Sequence, residues 1–418
     1  MPPVGRRNFL TLVMGTAIGA LLPSRRAIAS AYANQGVNVR QFGALGNGIA
    51  NDTLAFQRAR QVSPILYAPA GTYLVDTIVI PAGTRLLTDG ATTRFKQKRG
   101  IRGDMRILTV TGSNVEIGDC TLEGNIATDT GEQRHGLIVA ATRETGPISS
   151  VRIGNINGVN LRGDVVYVGS VGRVPISDVQ VGDVHASNVL RNVVSVVGGR
   201  NISIGHISGT KVGYTHLDME PDEWNAPISG CQVASVQGGF VQIAGQTPNS
   251  AIDGVRIGLL NLEQQAARSS PAYPPGLKRS NALELRNARS IEIGRLIASG
   301  FTGAAILQIW NPGALPDQYL HIGQADLSDC CRGPGHNAYI QGSRRATHLS
   351  IDNLAISISK PGIDAVRDCK SARIARVTGK RPKGSRLIAQ TPPMAAPVAL
   401  AAGAGAAVLV GIGSQYWR

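Results

Sequence analysis

Apolar residues recur along this chain in a short phrase: apolar, variable, apolar, then Gly or Asp. It reads Val115-Glu116-Ile117-Gly118, Val151-Arg152-Ile153-Gly154, Val179-Gln180-Val181-Gly182, Ile202-Ser203-Ile204-Gly205, Val255-Arg256-Ile257-Gly258, Ile291-Glu292-Ile293-Gly294, Leu320-His321-Ile322-Gly323 and Leu349-Ser350-Ile351-Asp352. Alternation with a period of two marks each copy as a short strand with one buried face. The step between copies is uneven, 23 residues at its shortest, so loops of different length separate constant strands. Leucine-rich repeats would add a helix per repeat, and propeller blades would repeat at a larger, more regular period. The pattern predicts an all-β solenoid of stacked coils, a parallel β-helix with its loops along one side.

A second strand aligns between copies by its inward apolar pair: Leu137/Val139, Val166/Val168, Val194/Val196, Leu217/Met219, Val241/Ile243, Leu283/Leu285, Leu307/Ile309 and Ala338/Ile340. The residues between these pairs then face solvent, giving a ladder of Ile138, Tyr167, Ser195, Asp218, Gln242, Glu284, Gln308 and Tyr339. A second outward file holds Glu220, Arg286, Trp310 and Gln341.

The repeats span about Val115 to Val377 of 418 residues, which argues for one elongated body rather than two domains. Residues 1–31 read as a twin-arginine export leader: Gly5-Arg6-Arg7-Asn8-Phe9-Leu10, an apolar run to Leu22, Arg25-Arg26, and Ala29-Ser30-Ala31 as a small-residue cleavage site. The expected location is periplasmic or extracellular. Residues 32–90 form an N-terminal cap with the first coils, 91–388 the β-helix, and 389–418 an Ala/Gly-rich tail.

Formal charge is +15, and +11 without the leader, where 38 basic residues remain against 27 acidic. Such a surface attracts polyanions, and outside the cytoplasm these are chiefly acidic polysaccharides. The arginines are scattered and no nucleic-acid motif accompanies them, so nucleic acid is not the expected partner. Membrane contact is expected only through the leader or, as a second option, the uncharged stretch Ala395 to Gly413, which is weakly apolar for a span. Cys120, Cys231, Cys330, Cys331 and Cys369 lack metal-ligand spacing and read as small buried residues.

The cap reads Val37-Asn38-Val39-Arg40-Gln41-Phe42-Gly43-Ala44-Leu45-Gly46-Asn47-Gly48-Ile49-Ala50-Asn51-Asp52-Thr53-Leu54-Ala55-Phe56-Gln57-Arg58-Ala59, a strand, a glycine-rich loop and a helix capped by Asp52 or Thr53. Strand, turn and strand follow in Ile65-Leu66-Tyr67-Ala68-Pro69-Ala70-Gly71-Thr72-Tyr73-Leu74-Val75. This region resembles the pectate lyase-like superfamily, in the version shared by polygalacturonases, rhamnogalacturonases and phage-type depolymerases, over roughly residues 37 to 90. The resemblance implies a right-handed parallel β-helix and a carbohydrate substrate. Asn47 and Asn51 stand where that family usually carries acids. The Asn-Thr-Asp, Asp-Asp, Gly-His-Gly and Arg-Ile-Lys motifs of the polygalacturonase site are not found.

Chemistry concentrates in Tyr214-Thr215-His216-Leu217-Asp218-Met219-Glu220-Pro221-Asp222-Glu223-Trp224, with four carboxylates in six residues. Alternation with Leu217 and Met219 brings His216, Asp218 and Glu220 to one face, with Glu284 and Arg286 two coils away. These five are the catalytic candidates. Tyr167, Gln242, Gln308, Tyr339, Lys211 and the possible stacking platform Trp310 are the substrate-binding candidates. Paired carboxylates hydrolyse glycosidic bonds. Alternatively Ca²⁺, with Asp222 and Glu223 as ligands, neutralises a uronate while Arg286 or Lys211 removes the adjacent proton. A binding face without turnover is the third option, and a solvated acidic face without function the fourth. The reading leans to elimination on an acidic polysaccharide, with hydrolysis and non-catalytic binding as alternatives. Arg134, His135 and Asp164 border the expected cleft as turn or capping residues, Asn192 and Asn201 read as coil corners, and His185, His206, His321 and His348 face solvent.

Overall fold

The computed structural model describes residues 36–100, 105–264, 280–309, 315 and 317–390. The expected leader (residues 1–31), Trp310 and the tail beyond residue 390 lie outside these. The chain winds as a right-handed parallel β-helix whose strands form one 21-stranded and one 12-stranded array. In the larger array two walls merge through long bent strands: Gly199–Val212 pairs with Ile176–Val181 before its bend and with Val184–Val189 after it.

That bend explains the repeat phrase. Its two apolar residues point into the coil, and the glycine that follows sits at the corner between walls. A Cβ on Gly294 would lie 2.7 Å from the carbonyl oxygen of Gly258, and one on Gly323 2.7 Å from that of Gly294. At these corners the coil below leaves no room for a side chain, whereas the copies with Ala234 and Asp352 admit one. Valine, isoleucine and leucine fill the interior in register, as in Val151↔Val179 and Ile153↔Val181.

The helix Thr53–Val62 closes the N-terminal end. Phe56 packs edge-on against Tyr73 and Phe95 at centroid distances of 5.4 and 5.7 Å, and the Tyr73 hydroxyl donates to Pro69 O at 2.7 Å. Asp52 sits at the helix start, but its carboxylate accepts the N–H groups of Leu45 and Gly46 at 2.7 and 3.1 Å and so ties down the glycine-rich loop. Asn51 Oδ1 instead takes the Thr53 N–H at 3.1 Å and its hydroxyl at 2.7 Å. Asn47 Oδ1 accepts from Ile49 and Ala50 at 3.0 Å each. Amide oxygens thus do the accepting at both asparagines.

All five cysteines are buried free thiols. Burial raises Cys231, Cys330, Cys331 and Cys369 to about 12. No helix among the described residues is long and apolar enough to cross a membrane.

Candidate functional site

The outer face of the 12-stranded array carries a continuous file, paired rung to rung: Val79, Thr109, Ile138, Tyr167, Ser195, Asp218, Gln242, Glu284, Leu307, Gln341 and Arg367. Asp218 and Glu284 lie two rungs apart with Gln242 between them. Two coil steps put these positions about 9–10 Å apart. Neighbours pack closely, so Asp218 is only 7% and Gln242 5% exposed, while Tyr167 and Glu284 are partly open. Burial raises the Tyr167 phenol above its usual range.

Behind the file runs a polar corner, three residues before each rung, where a side chain accepts the backbone N–H of the next coil. His135 Nδ1 takes Asp164 N at 3.0 Å, Asp164 Oδ1 takes Asn192 N at 3.1 Å, and Asn192 Oδ1 takes Thr215 N at 3.0 Å. The device returns where Asn281 Oδ1 accepts Ala304 N at 2.8 Å and Asp364 Oδ1 accepts Arg386 N at 2.9 Å. These corners also hold the acids. Asn192 Nδ2 donates to Asp218 Oδ2 and Ser195 Oγ at 3.0 Å each, and Asn281 Nδ2 to Glu284 Oε1 at 3.0 Å. Burial pushes the Asp164 carboxyl up, but Arg191 Nε at 3.3 Å and the His135 ring outweigh it and hold Asp164 below the carboxylate range. His135 and Asp164 are therefore corner residues, and so is Asn192, although it also reaches the candidate site.

In the second outward file Arg286 reaches over Ala244, its rung neighbour, to place Nη2 3.7 Å from Glu220 Oε1. Gln246 Nε2 donates to the same oxygen. Glu220 and Arg286 thus form one ion pair beside the Asp218–Glu284 file.

Several expected residues are elsewhere. His216 does not emerge beside Asp218: it precedes the strand Leu217–Met219 at the bend, 2% exposed, its ring filling the space beneath Gly238. Nδ1 accepts Gly239 N at 3.2 Å, Nε2 faces Gly209 O at 3.4 Å, and burial lowers its pKa to about 4. Gln308 points inward, because Ile306 rather than Leu307 pairs with Leu283; a one-residue slip exchanges faces. It bonds Gln318 Oε1 at 2.6 Å, and Leu307 takes the outward place. Tyr339 is 1% exposed at a corner, where its hydroxyl donates to Ser357 O at 2.9 Å. Lys211 is exposed in left-handed backbone, continuing the corner stack of Asn160 and Asn188 in the other array. Asp222 organises its own turn, accepting Trp224 N at 2.8 Å, and the exposed Glu223 offers its carbonyl to Arg173 Nε at 3.0 Å. Among the described residues no group of three or more His, Cys, Asp or Glu could hold a metal. Trp310 lies outside the described residues.

That turn yields an aromatic not foreseen as a platform: Trp224, 65% exposed. Ser170 fixes the loop, its hydroxyl accepting Ala226 N at 2.6 Å and its carbonyl accepting from Asn225 Nδ2, while Arg173 N donates to Trp224 O at 2.9 Å.

Residues 36–115 match the family described as rhamnogalacturonase A/epimerase, pectate lyase-like. No curated protein matches the chain. Among solved structures it is similar to PfbA, a surface adhesin of Streptococcus pneumoniae, at 13% identity and TM-score 0.56, over 85% of this chain and 91% of that one. The Agl-KA catalytic domain is similar at 15% identity and TM-score 0.58, over 86% and 69%. The A-module of the mannuronan C-5 epimerase AlgE6 of Azotobacter vinelandii gives 13% and 0.46, over 85% and 99%. With PfbA and the Agl-KA catalytic domain the shared feature is the fold, a parallel β-helix.

Proposed function

We propose that this chain is an exported glycoside hydrolase that cleaves an acidic polysaccharide on the outer face of its 12-stranded array, with Asp218 and Glu284 as the acid and base. The carrying observation is their shared file, two rungs apart, each side chain held by a corner asparagine. The rung spacing of about 9–10 Å straddles the upper limit, about 9.5 Å, of the carboxyl separation at which one carboxyl protonates the leaving oxygen while the other activates a water. The rhamnogalacturonase-type match over residues 36–115 supports a saccharide substrate, and the net positive charge supports an acidic one. Export rests on the twin-arginine leader.

Hydrolysis is preferred to elimination because the basic groups that elimination would use are committed or distant: Arg286 pairs with Glu220, and Lys211 stands in a corner of the other array. The test is incubation with a panel of acidic polysaccharides, following new reducing ends and the ultraviolet absorbance of unsaturated sugar ends together. Reducing ends without absorbance support hydrolysis, and both rising together would replace it with elimination. Retention of polymer without cleavage would leave a binding surface.

A further inference from the structure

The outer face of the 21-stranded array carries a repeated pair that the site above does not use. Four histidines each face a serine in register one coil on: His185 and Ser208 at 3.0 Å, His206 and Ser235 at 2.7 Å, His321 and Ser350 at 3.3 Å, His348 and Ser371 at 2.9 Å. At His185 and His206 either ring nitrogen could carry the proton, and His321 Nε2 stands 3.5 Å from Asp352 Oδ2, beyond hydrogen-bond range. At His348 the choice is made, because Nε2 lies 2.8 Å from Asp317 Oδ1 and a carboxylate only accepts. Neutral His348 therefore carries its hydrogen on Nε2 and turns the Nδ1 lone pair to the Ser371 hydroxyl.

We propose that Ser371, His348 and Asp317 form a second active site, a serine nucleophile with its base and orienting acid, which hydrolyses a carboxylic ester carried on an anionic polymer. Three features support it. The Tyr319 ring stacks on His348 at 4.7 Å and 15°, fixing the plane of the imidazole. Lys370 Nζ, 2.5 Å from Asp317 Oδ1, and His348 together hold that carboxyl below its usual range, so it is charged when His348 donates to it. Ser371 begins Ser371–Lys380, the last strand of its array among the described residues. Lys370 N donates to Thr347 O and Lys380 O accepts from Ile358 N, so alternate residues bond inward. The N–H group of Ser371 then points to the open edge, where an acyl oxygen bound at Ser371 can use it. Arg373, two residues on and on the same face, is exposed and makes no ion pair among the described residues, which suits a substrate with anionic groups.

Ser371 Oγ attacks the ester carbonyl while its proton passes to His348 Nδ1, and that proton then leaves with the alcohol. Water, losing a proton to the same nitrogen, releases the acid and restores the hydroxyl, so the net change is ester plus water to acid plus alcohol.

The experiment is labelling of the purified chain with a fluorophosphonate, which forms an Oγ–P bond and expels fluoride, followed by peptide mapping. The expected result is modification of Ser371, abolished in Ser371→Ala, slowed roughly a hundredfold or more in His348→Gln, and unchanged in Ser208→Ala, whose histidine has no acid behind it. Acetate release from an O-acetylated acidic polysaccharide should follow the same order. No labelling, labelling at another residue, or an unchanged rate in a folded His348→Gln chain would overturn the proposal. Asp218→Asn should leave labelling intact, so this test and that of the glycosidase reading fail separately.

Discussion

Asn192 Nδ2 lies 3.0 Å from Asp218 Oδ2, although the two belong to successive coils. The same amide donates to Ser195, and its oxygen takes the Thr215 N–H at 3.0 Å and hydroxyl at 2.7 Å. One side chain, 2% exposed, therefore links the corner stack to the candidate acid.

Asn192→Ala should cost about 2–4 kcal/mol, because it strands buried groups on Thr215 and Asp218 rather than removing a solvated contact. Urea denaturation measures this. Asn201→Ala, at an exposed corner in left-handed backbone (φ 54°), serves as the comparison and should cost about 1 kcal/mol.

Gly294→Ala should destabilise by about 1–3 kcal/mol, since the new Cβ meets the Gly258 carbonyl at 2.7 Å. Gly131→Ala, where nothing lies within 4 Å but φ is +86°, tests backbone strain alone and should cost about 1 kcal/mol. Denaturation midpoints rank the two.

Burial holds His216 neutral, with a folded pKa of about 4 against an ordinary 6.5. Between those values the unfolded chain binds more protons, so this group's contribution is complete above pH 6.5 and is lost as pH falls towards 4. The full difference is about 3 kcal/mol. Melting temperatures across this window should fall less steeply in a folded His216→Gln chain than in wild type.

The five buried thiols should be inert in the folded protein. A thiol reagent such as Ellman's should report almost no reaction under native conditions and five equivalents in denaturant. A fast-reacting native thiol would contradict the burial of that cysteine.

The solenoid was legible because the inward apolar pair and the corner glycine are local requirements repeated many times. The outward file was legible from Ile138 to Glu284, where each strand offers one unambiguous apolar pair. It failed at Ala304-Ala305-Ile306-Leu307-Gln308-Ile309, where alternation favours burying the apolar pair Leu307 and Ile309, whereas the inward places go to Ile306 and to Gln308, which Gln318 satisfies from ten residues away. His216 failed for a related reason: alternation holds within a strand, and His216 stands just before one, at a bend. The serine–histidine pairs could not be read because each joins residues 23 or 29 positions apart, through register alone. Trp224 was visible as a residue, but its exposure depends on the Ser170 contacts that fix its loop.

The most direct test of the central claim is chain cleavage of the acidic polysaccharide panel by wild type, Asp218→Asn and Glu284→Gln, each shown to be folded. The account predicts new reducing ends without unsaturated sugar, reduced by about 10²–10⁴-fold in either variant. Cleavage at the wild-type rate in both variants, or no cleavage by the wild-type chain, would contradict it.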